Sequence, residues 1–326
     1  MPYQPYRPQK PKLSDFAPKL NTFRSDILEG LQRPLKEIAS KYFYDEAGSQ
    51  LFDQITKLDE YYPTRTELAI MQSNIQQIAA RLGPHCMLIE YGSGSSLKTR
   101  QLLDHVKSLA AYVPIDISKQ HLLNTAQELA KSYPQIEILP VCADYTSDFT
   151  LPSPQGIVER RVAYYPGSTI GNFDPHAAIR FLASIAQKCG DGGGLLIGVD
   201  LKKDFNILHR AYNDSEGITA QFNLHLLTRI NQELSADFQL DQFSHYAFYN
   251  PVPGRIEMHL GSLKMQQVHV GEETITFKQG ESIWTESSYK FTIDDFAQLA
   301  SEAGFHIEEV WLDPQHFFSI QYLSVM

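Results

Sequence analysis

Carboxylates and glycines stand at the ends of apolar runs in this sequence, and their spacing suggests one kind of ligand. In LIEYGSGSSLKTR, residues 88–100, an apolar run ends at Glu90 and passes into a turn carrying Gly92 and Gly94. Glycine lets a backbone approach a ligand closely, and a helix start beyond it presents unpaired N–H groups. A dinucleotide fingerprint needs a third glycine, as G-x-G-x-x-G, but Leu97 stands at that position. A carboxylate at Glu90 would repel a pyrophosphate and suits a cationic ligand. Asp116 closes the run AYVPID, where it could accept hydrogen bonds from both hydroxyls of a ribose. Asp144 closes IEILPVCAD, where it could accept from an adenine amino group. Each acid alone could equally cap the helix after it. Three acids at three successive run ends point instead to one ligand, and S-adenosylmethionine has the required parts: adenosine, a sulfonium, an amino acid and no phosphate.

The elements that must position these residues alternate. CMLIEYG, AYVPIDIS, IEILPVCAD, RRVAYYPGSTIGN and GGGLLIGVDL read as strands, separated by the helical stretches LKTRQLLDHVKSLA, KQHLLNTAQELAKSY and PHAAIRFLASIAQKCG. Such alternation predicts a parallel sheet covered on both faces. It breaks over residues 201–288, which begin helical (SEGITAQFNLHLLTRINQELS) and end strand-like (RIEMHLGSLKMQQVHV, ETITFKQGESIWTESS). It returns with the helix TIDDFAQLASEAG and two strands expected to close the sheet edge as an antiparallel hairpin, a feature of class I methyltransferases. Before the first strand, SDILEGLQRPLKEIASKYF and SQLFDQITKL read as short helices. After Pro63, Thr64 and Glu67 have the spacing of a capping box opening a longer helix.

Composition narrows the partners. A chain of 326 residues, 43% hydrophobic, has room for a large core and one or two domains. Its net charge of −10, without a basic block, argues against nucleic acid and for a small molecule. Cys86, Cys142 and Cys189 lie far apart and suggest a reducing compartment. No H-x-x-x-H or clustered-cysteine pattern suggests a metal. No apolar run has a membrane-crossing length, and the start, MPYQPYRPQKPK, is Pro-rich and polar. A cytoplasmic monomer with a mobile tail is expected.

The segments YFYDEAGSQLFDQITKLDEYYPTRTE, IEYGSGSSLKTR, YVPIDIS, YYPGSTIGNF and IWTESSYKF closely resemble the histidine Nα-methyltransferases of ergothioneine biosynthesis, from about residue 20 onward. The resemblance implies a class I methyltransferase α/β Rossmann-like sheet, mostly parallel with its closing hairpin, over 63–200 and 289–326. A second, α+β substrate-binding domain would comprise 20–62 and 201–288, and residues 1–19 would form the tail. It also implies three methyl transfers from S-adenosylmethionine to the α-amino group of L-histidine, giving hercynine. By motif position, Gly92, Lys98, Asp116, Asp144 and Tyr145 would hold the methyl donor, beside Glu90 and Gly94. Tyr62, Asn172 and Tyr212 would hold the amino and carboxylate end of histidine, Glu286 and Ser288 the imidazole, and Met258 would line the wall.

Methyl transfer to an amine needs a neutral nucleophile in line with the methyl–sulfur bond, and positioning supplies much of the rate. With a reference pKa of about 10, Tyr62 is a poor base and is expected to orient the amine. Asn172 has both donor and acceptor, so it can bridge amino and carboxylate groups. In a strand, Glu286 and Ser288 face one way and Thr285 and Ser287 the other. The carboxylate could then accept from an imidazole N–H while the serine serves the other nitrogen. Tyr61 reads as a packing residue, Tyr164 and Tyr165 as core aromatics, Lys202 and Lys203 as a solvated face, and His209, His225 and His245 as surface or satisfied core side chains. Two other readings stay open: the same scaffold methylating tyrosine or a tryptophan derivative, and a non-catalytic S-adenosylmethionine-binding subunit.

Overall fold

In the computed structural model, which describes residues 11–17, 20–94 and 97–326, the chain divides into two units. The first takes its described residues from Met1–Ala17, Pro63–Leu201 and Phe291–Met326; the second comprises Pro18–Tyr62 and Lys202–Lys290.

The first unit is built on one large sheet. Its strands run in the order Ser14–Phe16, Val141–Ala143, Ala111–Asp116, Cys86–Tyr91, Arg160–Tyr165, Gly194–Asp200, Phe318–Val325 and Phe305–Leu312. All pairings are parallel except those of Phe318–Val325, which is antiparallel to both neighbours. This is the class I methyltransferase arrangement, with the expected hairpin at the edge. Cys86–Tyr91 and Gly194–Asp200 are buried along their whole length, as central parallel strands covered on both faces must be. From Cys86–Tyr91 the chain first adds strands on one side and then crosses to Arg160–Tyr165 on the other. Ligands of open α/β sheets bind at such a switch point, beyond the carboxyl ends of the strands.

Several local expectations change. Ser14–Phe16, expected within a mobile tail, pairs with Val141–Ala143, whose edge offers unused backbone groups; residues 1–10 of that tail lie outside the described residues. IEILPVCAD splits into Glu137–Ile138 and Val141–Ala143, because Pro140 has no N–H for a continuous ladder. The long helix begins at Tyr62, with Pro63 in its first turn, where a missing N–H breaks no bond. Thr64 is therefore inside the helix, and the Glu67 side chain is directed elsewhere.

The second unit has its own sheet, in the order Lys36–Glu37, Ser282–Tyr289, Arg255–Ser262 and Phe243–Asn250. A hairpin, Gln266–Val270 and Glu273–Phe277, and the helices Leu20–Gln32, Glu46–Ile55, Phe205–Tyr212 and Ile218–Leu234 complete it. The predicted helix over 25–43 stops at Gln32; Lys36–Glu37 instead joins the sheet beside Ile283 and Trp284. Aromatic packing joins its two chain segments, with Phe43 stacked on Phe222 at 4.5 Å. Tyr61 packs edge-on to Phe52, as a packing residue should. Among the described residues, no helix is long and apolar enough to cross a membrane.

Candidate active site

The donor-side residues gather at the carboxyl ends of the first unit's central strands. Cys86–Tyr91 runs one residue past Glu90 before the turn. Gly92 and Gly94 have φ of 73° and 43°, the left-handed region where glycine is favoured. Among the described residues, a Cβ built on Gly94 would meet nothing within 4 Å, which leaves that side of the turn open. The Gly94 N–H lies 3.3 Å from Asp116 Oδ2, and Ser118 N–H donates to Asp116 Oδ1 at 2.9 Å. Burial raises the Asp116 carboxyl above its ordinary value against these two bonds. A Cβ on Gly92 would stand 4.0 Å from the Tyr145 ring. Gly92, Gly94, Asp116 and Tyr145 are therefore one cluster. Asp144 follows the Val141–Ala143 strand and accepts from Thr146 N–H at 3.0 Å and Thr146 Oγ1 at 2.5 Å. The Tyr145 hydroxyl is 3.4 Å from that of Tyr165, and burial pushes it up to about 12.

Glu90 stands next to the strand's last residue, just before the turn, with its carboxylate held by the chain itself. Its carboxylate is buried and its Oε2 accepts from Thr99 Oγ1 at 2.6 Å and Tyr112 Oη at 2.5 Å. Burial pushes this carboxyl up to about 7. The alternation that sends Tyr91 to one face of the sheet sends Glu90 to the other.

Glu67 joins this candidate site although its sequence spacing suggested only a helix cap. It is fully buried, forms an ion pair with Lys98, and accepts from the Gly167 N–H at 3.0 and 3.1 Å. It thus ties the helix carrying Lys98 to the PGST turn, where Gly167 and Ser168 have φ of 78° and 58°. Asn172 ends the short helix Thr169–Asn172 that follows this turn and is half-buried. The S-adenosylmethionine fit rests on the chemistry of this set. An open glycine turn lies beside a carboxylate, and the nearby cation, Lys98, is already neutralised by Glu67 and so poorly suited to bind a pyrophosphate.

Of the residues expected to meet the substrate, Tyr62, Tyr212, Met258, Glu286 and Ser288 lie in the second unit and Asn172 in the first. Glu286 and Met258 are directly opposite each other on paired strands, and so are Ser288 and Ile256. The register shifts by one between Met258 and His259, leaving Thr285 as an extra residue whose hydroxyl donates to Met258 O at 3.1 Å. Bulges of this kind re-aim side chains beside functional sites. Past the bulge the alternation holds, and Glu286 and Ser288 share a face as expected. The Glu286 carboxylate makes no hydrogen bond among the described residues, and burial pushes it up to about 7 while the Lys290 charge pulls it down. Ser288 accepts from Tyr212 Oη at 2.7 Å, at the end of the helix Phe205–Tyr212.

Tyr62 is buried, and its hydroxyl accepts from Lys203 Nζ at 2.8 Å; the lysine also lies 4.5 Å from the ring centre. This corrects the solvated-face reading of Lys203. Other side chains stay outside the chemistry. His225 pairs with Asp45 at 2.8 Å, and His245 lies between Asn223 and the Tyr212 carbonyl. Tyr164 and Tyr165 are core.

Comparison with known proteins agrees with this chemistry. The family described as histidine-specific methyltransferase, SAM-dependent, matches residues 23–325. A histidine N-alpha-methyltransferase of Mycobacterium tuberculosis is 42% identical over 302 residues, covering 91% of this chain and 93% of the relative. One from Mycolicibacterium smegmatis is 41% identical over 303 residues, covering 91% and 93%. A 4-dimethylallyltryptophan N-methyltransferase of Epichloe festucae var. lolii is more distant, 25% identical over 333 residues, covering 93% and 96%. The chain is an S-adenosylmethionine-dependent methyltransferase and belongs to the histidine-specific family of these enzymes.

Proposed function

We infer that the enzyme transfers three methyl groups from S-adenosylmethionine to the α-amino group of L-histidine, giving hercynine, the first step of ergothioneine biosynthesis, and that it works as a cytoplasmic monomer. The observation that carries the histidine assignment is Glu286, a half-buried carboxylate that makes no hydrogen bond among the described residues, two residues from Ser288 on one strand face. An imidazole N–H supplies the missing donor. A tryptophan derivative has a ring N–H for Glu286 but no accepting ring nitrogen for Ser288, and tyrosine has a hydroxyl but no ring nitrogen, so neither matches this pair as an imidazole does. This weighs against the tryptophan chemistry named for the Epichloe relative.

The donor brings an electrophilic methyl on a sulfonium, so the chain's task is to bind and orient. Asp116 would accept from the ribose hydroxyls, and the Gly92–Gly94 turn would let the backbone approach the amino-acid end. Asn172 and Tyr62 would hold the histidine amino and carboxylate groups, with Tyr212, whose proton goes to Ser288, accepting from the amine. An amide and two hydroxyls accommodate a nitrogen that gains methyls better than a fixed ion pair would, because they adjust as N–H donors disappear. The Lys203 bond fixes where the Tyr62 hydroxyl stands. The test is mass spectrometry of all amino acids pooled with S-adenosylmethionine. Histidine alone should gain one, two and three methyls; methylation of another amino acid, or of none, overturns the assignment.

A further inference from the structure

Lys290 is 2% exposed, an unusual place for a lysine, and it continues the row begun by Glu286 and Ser288. Its backbone N–H still pairs with Gly254 O at 2.9 Å, so the extended geometry persists to that point. Its Nζ donates to Ser288 Oγ at 2.8 Å and to Tyr212 Oη at 3.1 Å. Tyr212 in turn donates to Ser288 Oγ at 2.7 Å. A hydroxyl has two lone pairs and one proton, and a lysine nitrogen acting as an ammonium only donates. Ser288 therefore accepts twice and keeps its proton for another partner.

We propose that Lys290 is a positioning residue for substrate recognition: together with Tyr212 it occupies both lone pairs of Ser288 and makes that hydroxyl an obligate donor. This deepens the histidine assignment and rests on it. The site then demands a ring with an accepting nitrogen for Ser288 and an N–H for Glu286. A neutral imidazole has both. An imidazolium, with N–H at each nitrogen, would set donor against donor at Ser288. A ring with no accepting nitrogen leaves the serine proton unpartnered in a desolvated place, which costs binding.

The test uses steady-state kinetics on the full chain at saturating S-adenosylmethionine, with donor affinity by calorimetry as the check on folding. Lys290→Gln can accept, so it lets Ser288 turn its proton away; Lys290→Arg can only donate. We expect Lys290→Gln and Ser288→Ala each to raise the histidine KM about tenfold with kcat within about twofold. The combined variant should be no worse than Ser288→Ala alone, because Lys290 acts through Ser288. Lys290→Arg should recover most of the loss. Additive losses, equal effects of Gln and Arg, or loss of donor binding in both variants would overturn the proposal in favour of a purely structural lysine. If Ser288→Ala raises KM and Lys290→Gln does not, the positioning role alone fails. If Ser288→Ala leaves KM unchanged, the histidine assignment fails with it.

Discussion

Glu286→Gln should make the ligand-free protein more stable at alkaline pH while making it a poorer histidine binder. Burial moves the carboxyl from an ordinary value of 4.5 to about 7. At about 1.4 kcal/mol per unit, holding it ionised in the folded chain costs roughly 3 kcal/mol. The sign follows from linkage. A raised folded-state value means the folded chain holds the proton longer than the unfolded chain, so stability falls as pH rises. Wild type and variant should match near about pH 4.5, separate through about pH 7, and stay apart by up to roughly 3 kcal/mol above it. Glutamine removes the ionisation and keeps the shape. Histidine binding should weaken by about 1.5–3 kcal/mol, the range for a hydrogen bond to a charged group. Urea unfolding of both proteins across this pH range gives the first quantity, and calorimetry with histidine the second. A variant no more stable at about pH 8, with histidine affinity intact, would refute the reasoning on both counts.

Asp116→Ala should weaken donor binding by about tenfold or more while sparing histidine affinity; normal donor affinity in calorimetry would rule out the ribose role. Tyr62→Phe should lower kcat at least about tenfold through misplacement of the amine, with a stability loss near 1 kcal/mol from the lost Lys203 bond. A drop in melting temperature with kcat unchanged would leave Tyr62 structural. Glu67→Gln should destabilise the fold by roughly 2 kcal/mol, because Lys98 loses its ion-pair partner; a melting curve that does not shift would contradict that account.

Much of the fold was legible because sheet and helix impose different periods. CMLIEYG read as a buried strand and GGGLLIGVDL as another, and the helical periods between them followed. What escaped depended on tertiary partners. Thr64 and Glu67 have capping-box spacing, yet Glu67 serves a turn a hundred residues away, at Gly167. Lys203 looked like surface because its partner, the Tyr62 hydroxyl, lies 141 positions off in sequence. Lys290 shares parity with Glu286 and Ser288, a signal present in IWTESSYKF, but lysine is so rarely buried that parity alone does not recommend it. The alternation of Glu286 and Ser288 could be read directly; the bulge at Thr285 that sets their direction could not, since a bulge is a mismatch between two strands and appears in neither alone. Glu90 ends its strand much as read, but its carboxylate is taken up by Thr99 and Tyr112, partners that the sequence does not place beside it.

The place of Phe318–Val325 in the sheet bears on how the molecule is made. It lies between Gly194–Asp200 and Phe305–Leu312, although both precede it in the chain. During synthesis the outer edge of Gly194–Asp200 thus waits, unpaired and apolar, while more than a hundred residues leave the ribosome. Exposed edges of that kind invite pairing with other chains. A nascent copy should depend on chaperone cover over that interval, and substitutions that weaken Phe318–Val325 should show themselves first as low soluble yield rather than as altered kinetics.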